Sequence, residues 1–432
     1  MNYASFLHFR FDVHKSSLHL TKLNFAMMKR MSVCLNGLKS RCFMLFACLS
    51  LLLATTSCNN DELEFNDPQP SKQYTKAELI EQALSRIPKT RASGDRDIIA
   101  TMVTIKDTIT INCSVNDTVT ICADDYPPII LTKDQNSPQV LPFSPDFPSH
   151  YVTIMGTDQS LRELSVYNDG LISLEIHSNQ NLIYLDCKKN HLDEIDLTGC
   201  PNLLMLYVSD NELSSIDVTN LPDLAFFDAS NNRLKNISFS QHPNTYGLFV
   251  ENNKLTNLDL SGFSGLYMLT AQNNPLENLN LKECMYLNSL DISSTPITTL
   301  DLSHNTNLWE LNLNNTSIKV LNNQIFRETS FSIFKELIQL KVANATYRKL
   351  DLSHNPNLYE VDLSGSEVAW LKLSDNPNLH NLYATRSELT DLIGEKGKLG
   401  NLVEVRIEST PLEKDSTKMK NLVTEFLPNR EN

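Results

Sequence analysis

Residues 182–202 read LIYLDCKKNHLDEIDLTGCPN, and residues 203–223 read LLMLYVSDNELSSIDVTNLPD. The two segments carry apolar residues at the same places. The pattern extends in both directions. Leu161, Leu182, Leu203, Leu224, Thr245, Leu266, Leu287 and Leu308 open successive units 21 residues apart. An eight-residue insertion follows, and the register resumes at Leu337, Leu358 and Leu379, with a looser unit from Leu402, twelve in all. A strict period of this size marks stacked units, each too small to bury its apolar face alone.

Count the opening residue of each unit as position 0. Positions 3 and 5 are apolar in every unit (Leu185 and Cys187, Leu206 and Val208, Phe227 and Ala229), and positions 10, 13 and 15 are mostly Leu, Ile or Val. Apolar residues two apart point to one face of an extended strand. The motif occurs twice per unit, so each unit predicts two short strands joined by turns, with no long helix. Asn190, Asn211, Asn232, Asn253 and Asn274 occupy position 8, where stacked amides satisfy buried backbone groups of neighbouring units. Thr295, Thr316, Ser366, Ser387 and Thr410 stand there later, smaller residues with the same hydrogen-bonding ability. Pro201, Pro222, Pro243, Pro356 and Pro377 mark the second turn.

This unit, LxxLxLxxNxLxxLDLSxNPN, resembles the bacterial leucine-rich repeats of the 21-residue IRREKO type and, more loosely, internalins. The resemblance covers residues 155–412. It implies a mainly β leucine-rich-repeat solenoid of about twelve units, two short strands per unit, whose outward side chains bind a partner. A small β-sandwich-like cap is expected before it. Residues 98–155 alternate apolar and polar in strand fashion. The run Thr118–Ile154 resembles a PKD-like module, with Asp124-Asp125 near its turn but without that module's Trp and Gly.

The other segments follow. Residues 1–57 carry seven Lys/Arg against one acid, and 43–54 read FMLFACLSLLLA, a basic-then-apolar order that predicts a secretion signal. The apolar run is too short for a spanning helix, which needs about 20 residues. Met27-Met28-Lys29-Arg30 is expected to be the true start, leaving residues 1–26 untranslated. Ala54-Thr-Thr-Ser-Cys58 resembles a lipobox, with Thr55 in place of the usual Leu. That resemblance implies acylation of Cys58 and an outer-membrane or cell-surface location. Residues 58–97 are read as anchor, tether and a short helix opened by the capping box Thr75-Lys-Ala-Glu78. Residues 413–432 are read as a C-terminal cap. There Met419, Leu422, Val423 and Phe426 share a helical face, with Ser416 or Thr417 as the capping residue.

The charge balance beyond residue 57 is strongly acidic, which disfavours nucleic acid. Cys187, Cys200 and Cys284 fall at repeat core positions. Cys113 and Cys122 flank an Asn-Asp turn that reads as a hairpin, and the sequence leaves open whether they are bonded. No zinc spacing, nucleophile elbow or phosphate loop occurs, so no catalytic residue, metal site or cofactor is expected. Asp196, Asp217, Asp259, Asp301 and Asp351 recur in the second strand and read as a solvated face. His304 and His354 share a turn position by repetition. The candidate ligand-binding residues are Tyr184, Met205, Tyr207, Phe226, Phe249 and Met268, at positions 2 and 4, where side chains point outward from the first strand. Tyr246, Tyr267, Trp309 and Tyr359, at position 1, line its edge. The expected function is adhesion or recognition of a protein ligand; a glycan is the alternative partner.

Overall fold

The computed structural model describes residues 74–87, 97–124, 126–133, 138–322, 324–325, 329–394, 399 and 401–421. Cys58 and the expected secretion signal lie outside the described residues. Helix α1 (Lys76–Ser85) starts as expected: the Thr75 side chain accepts from Glu78 N–H, and Glu78 reaches back to Thr75 N–H at 2.7 Å.

Eight strands follow: β1 (Asp97–Thr104), β2 (Thr108–Val115), β3 (Val119–Ala123), β4 (Tyr126–Leu131), β5 (Gln139–Pro142), β6 (His150–Gly156), β7 (Leu161–Ser165) and β8 (Leu171–Ile176). One sheet runs β4-β3-β6-β1-β8. The other begins β5-β2-β7 and continues through β9 (Tyr184–Asp186) along the whole repeat array, fourteen strands in total. Pairing is antiparallel up to β2 with β7 and parallel from β7 with β9 onward. The first strand of the array is therefore never an open edge, and one apolar cluster runs without a break from Ile99 to Leu412. The Asn116–Asp117 turn does not close a hairpin. β2 and β3 lie in different sheets, and Cys113 and Cys122 are free thiols, the latter 4.0 Å from the Met155 sulfur.

Twelve strands of the long sheet come one per coil and pair in strict register. Tyr184 faces Met205, which faces Phe226, then Gly247, Met268 and Ser289. We call this the front ladder. The back strands form three shorter ladders: Ser215–Asp217 with Asn236–Ser238; Thr299–Leu300 through Gln324–Ile325; and Thr329–Ser330 through Asp391–Gly394. The insertion breaks only the back. Val320–Leu321 turns into an antiparallel partner, Gln324–Ile325, while the front pair Leu311–Leu340 keeps its register. Phe331 and Phe334 return to the interior and are fully buried.

Each coil leaves its front strand through a left-handed residue at position 7. The twelve are Asn168, Lys189, Asp210, Asn231, Asn252, Asn273, Ser294, Asn315, Asn344, Gly365, Arg386 and Ser409, with φ between 54° and 67°. Asn and Asp tolerate this region better than most residues. At position 8 the expected amide ladder is present. Asn232 donates to the carbonyls of Val208 in the previous coil (2.9 Å), Ala229 and Ser230, and accepts from Leu213 N–H at 3.0 Å. The later residues do not repeat these bonds. Thr295, Thr316, Ser366, Ser387 and Thr410 each donate only to the carbonyl three residues back in their own coil. A hydroxyl is too short to reach the next coil. There the amide moves to the second turn: Asn305, Asn355 and Asn376 each donate to two carbonyls of the preceding coil.

The array closes with α2 (Pro411–Lys414), capped by Thr410, and α3 (Ser416–Asn421). Asp415, not Ser416 or Thr417, caps α3, its carboxylate accepting from Thr417 and Lys418 N–H. Met419 packs on the core. The remainder of the expected cap helix lies outside the described residues.

Candidate functional site

Every front strand after β7 is three residues long, with its middle residue inside the coil and its two flanking side chains on the outer face. Position 2 thus lines up Tyr184, Met205, Phe226, Gly247 and Met268 on adjacent strands, and position 4 lines up Asp186, Tyr207, Asp228, Phe249 and Thr270. All six candidate residues share this face. They do not all offer area to solvent. Tyr207 is 2% exposed and Phe226 3%, whereas Tyr184, Met205, Phe249 and Met268 are half-buried. The cause is lateral packing. The Tyr207 ring lies 5.6 Å from that of Tyr184 and beneath the Lys188 ammonium, 4.9 Å from its centroid. Phe226 and Phe249 fold over Gly247, where a Cβ would stand 2.9–3.0 Å from their ring atoms. The glycine makes the gap that the two rings fill.

The position 1 residues form a rim. Tyr246 and Tyr267 stack at 4.6 Å and 9°, Trp309 meets Tyr267 edge-on at 6.3 Å, and Tyr359 stacks on His380 at 4.9 Å. Stacked partners cover one of each other's faces.

Acids are interleaved with the aromatics. Asp228 accepts from Ser209 Oγ at 2.9 Å and from Ser230 N–H at 3.1 Å. Glu251 accepts from the Thr270 hydroxyl. Burial, reinforced by the charges of Asp228 and Asp291, pushes the Glu251 carboxyl up to about 7 against the opposing pull of Thr270. Burial also raises Asp186.

The recurrent acids of the back strands have a local task. Asp196, Asp217, Asp259, Asp301 and Asp351 each accept the N–H two residues on, at 2.9–3.0 Å. The Thr219 hydroxyl together with its N–H holds Asp217 below the usual carboxylate range, and the N–H bonds hold Asp196 and Asp259 there. His304 and His354 each contact the preceding serine hydroxyl at 3.1 Å, as repetition dictates. Among the described residues no group of three or more His, Cys, Asp or Glu is placed to hold a metal ion. Burial raises the thiols of Cys200 and Cys284 to about 12, so they pack as small apolar groups.

The sequence reading missed a cluster beneath α1. Asp124 accepts from Arg86 Nε at 3.1 Å and pairs with His150 Nδ1 at 2.9 Å. Burial opposes its charge, but His150 and Arg86 outweigh that and keep the carboxyl below its ordinary range. Phe143 stacks on His150 at 4.4 Å, and Arg86 lies 4.4 Å over Phe147. With the Ser149 hydroxyl donating to Leu79 O, these contacts fasten the helix to the sheet. No pattern marked them, because Arg86, Asp124 and His150 meet only through the fold.

The fold is a leucine-rich-repeat solenoid. Similar solved structures include the functional domain of InlJ from Listeria monocytogenes, at 23% identity, covering 56% of this chain and 66% of that one with a TM-score of 0.36. YopM from Yersinia pestis is similar at 23% identity, covering 58% and 84%, TM-score 0.40. The leucine-rich-repeat ectodomain of the plant receptor kinase GASSHO1/SCHENGEN3 from Arabidopsis thaliana, in complex with CASPARIAN STRIP INTEGRITY FACTOR 2, is similar at 17% identity, covering 58% and 42%, TM-score 0.40. The solenoid chain spans less than two thirds of the length of the first and the last of these. No family model matches the sequence, and no curated protein matches it.

Proposed function

We propose that this chain is a cell-surface binding protein, anchored by a lipid on Cys58, that holds a protein partner against its front ladder and catalyses no reaction. The carrying observation is the set Tyr184, Met205, Phe249 and Met268, half-buried on one face of four of five adjacent strands. Large side chains held by their neighbours offer contact area at little further entropic cost. Two of the four are Met or interleave with acids, which suits the mixed surface of another protein. A sugar ring stacks on an open aromatic face, and the rim rings turn their faces to one another. That favours protein over glycan.

Photo-crosslinkers placed at Met205 and Met268, with Thr219 on the back as control, test the reading on cells displaying the chain. Protein adducts are expected from the front positions alone. Equal yields front and back, or none, would overturn it. The anchor is tested separately: Cys58→Ala should release the protein from membranes, and retention would refute the lipid.

A further inference from the structure

The repeat contains a worked example of how its front face takes a cation. Lys188 leaves position 6, crosses to the next strand and sets its ammonium 4.9 Å from the Tyr207 ring centroid and 3.9 Å from Asp186 Oδ2. Two coils further on, the same three places hold Asp228, Ser230 and Phe249. The backbone is congruent: Lys188 N–H donates to Asp186 at 3.2 Å, and Ser230 N–H donates to Asp228 at 3.1 Å. The register is congruent too, with Asp186 opposite Tyr207 and Asp228 opposite Phe249. The acid and the ring recur; the lysine does not.

The second copy is also more negative. Where Ser209 stands beside the first, Glu251 stands beside the second. Neither Asp228 nor Glu251 has an ion-pair partner among the described residues, and burial, with the charges of Asp228 and Asp291, holds the Glu251 carboxyl above its ordinary range. A third observation points the same way. Tyr207 is 2% exposed, its hydroxyl has no hydrogen-bond partner among the described residues, and it lies in register between Asp186 and Asp228. Of those two charges Asp228 acts on it more strongly. A cation bound at the second copy would find carboxylates and an aromatic ring together, with the unpartnered Tyr207 hydroxyl buried on the neighbouring strand.

We propose that the notch between Asp228, Phe249 and Glu251 receives a cationic side chain, lysine or arginine, presented by a partner protein. This rests on the front-ladder reading above and names the partner's chemistry. The partner supplies at the second copy what Lys188 supplies at the first.

The template gives the test, because the chain can be made to fill its own notch. The probe is an acetylated, amidated tri-lysine peptide, with its fully Nζ-acetylated form as control, titrated against the full chain by calorimetry. The tri-lysine peptide should bind and the acetylated one should not. Ser230→Lys should weaken binding at least tenfold by occupying the notch, and Glu251→Gln should weaken it severalfold. Ser261→Lys adds the same charge beside Asp259 on the back and should leave binding unchanged. Equal weakening by Ser230→Lys and Ser261→Lys would reduce the effect to bulk charge and overturn the proposal, as would no binding by the wild type. If Ser230→Lys does not fold, Glu251→Gln alone reads the notch, and its indifference overturns the proposal. Front-face crosslinks that persist without tri-lysine binding would sink the notch and spare the protein-binding reading; notch-dependent tri-lysine binding without crosslinks would do the reverse.

Discussion

The coils from Leu182 to Tyr286 and those from Leu287 onward solve one problem in two ways. Each coil must tie its turns to the coil before it without leaving buried backbone groups unpaired. In the first set the tie is at the first turn, where Asn190 to Asn274 both donate and accept across the coil boundary. Position 18 of those coils is then free to be Cys200, Leu221, His242, Phe263 or Cys284. In the second set the first turn holds a hydroxyl or Ala345, and position 18 carries Asn305, Asn355 or Asn376, with Phe334 in the coil that bears the insertion. The backbone follows suit. Glu212 N–H reaches Leu192 O in the first set, whereas Glu388 N–H reaches Ser366 O in the second. No coil from Leu182 to Asn378 carries such an amide at both turns, and the turn that has it determines what the other can be; the coil with the insertion, with Thr316 and Phe334, has neither. The ties are unequal, however: the Oδ1 atoms of Asn305, Asn355 and Asn376 have no partner among the described residues, while those of the first set accept.

That inequality can be measured. Asn232→Ala strands the Leu213 N–H inside the coil and leaves the Val208 carbonyl only its bond from Asn211, and should cost about 2–4 kcal/mol by urea denaturation. Asn376→Ala strands no N–H, and its two carbonyls keep the N–H groups of Asn355 and Leu358, so about 1–2 kcal/mol is expected. Equal losses would break the comparison. His242 tests what the freed position 18 tolerates. It is fully buried between Phe239 and Phe263, and burial alone lowers its pKa from 6.5. The unfolded chain then binds more protons below pH 6.5, so stability is full above that pH and falls as pH drops. Thermal melts should show a loss of at most about 1.3 kcal/mol between pH 7 and 5.5, and His242→Leu should remove that part of the slope. A variant as acid-sensitive as the wild type would place the cause elsewhere. Smallest, Thr316→Ala gives up one bond within its own coil, to Leu313 O, for about 1 kcal/mol. A loss matching that of Asn232→Ala would mean the hydroxyl ties coils after all.

The period was legible because an interior shared by every coil demands apolar side chains at fixed intervals, and Leu185, Leu206 and Leu290 have no other place to go. The amide ladder was legible for the same reason. The Thr and Ser replacements were misjudged because hydrogen-bonding ability is a property of the residue, whereas reach across a coil boundary is a property of side-chain length. The left-handed position 7 carried a signal that was available, in Asn168, Asn231, Asn252, Asn273, Asn315, Asn344 and Gly365, but Lys189 and Arg386 blurred it. Alternation placed all six candidate residues on the outer face correctly. It could not give their exposure, since Tyr207 and Phe226 are covered by neighbours from other coils and by the room left at Gly247. The Cys113 and Cys122 hairpin failed because a turn of the right composition can cross between sheets as well as reverse within one.

Gln324–Ile325 pair behind the array with Val320–Leu321, while Leu311 and Leu340 pair in front as though nothing intervened. Growth in length and constancy of the working surface are thereby uncoupled. Such a chain can acquire or shed peptide at its rear seam, by chance or by design, and still present a partner with an unaltered grip.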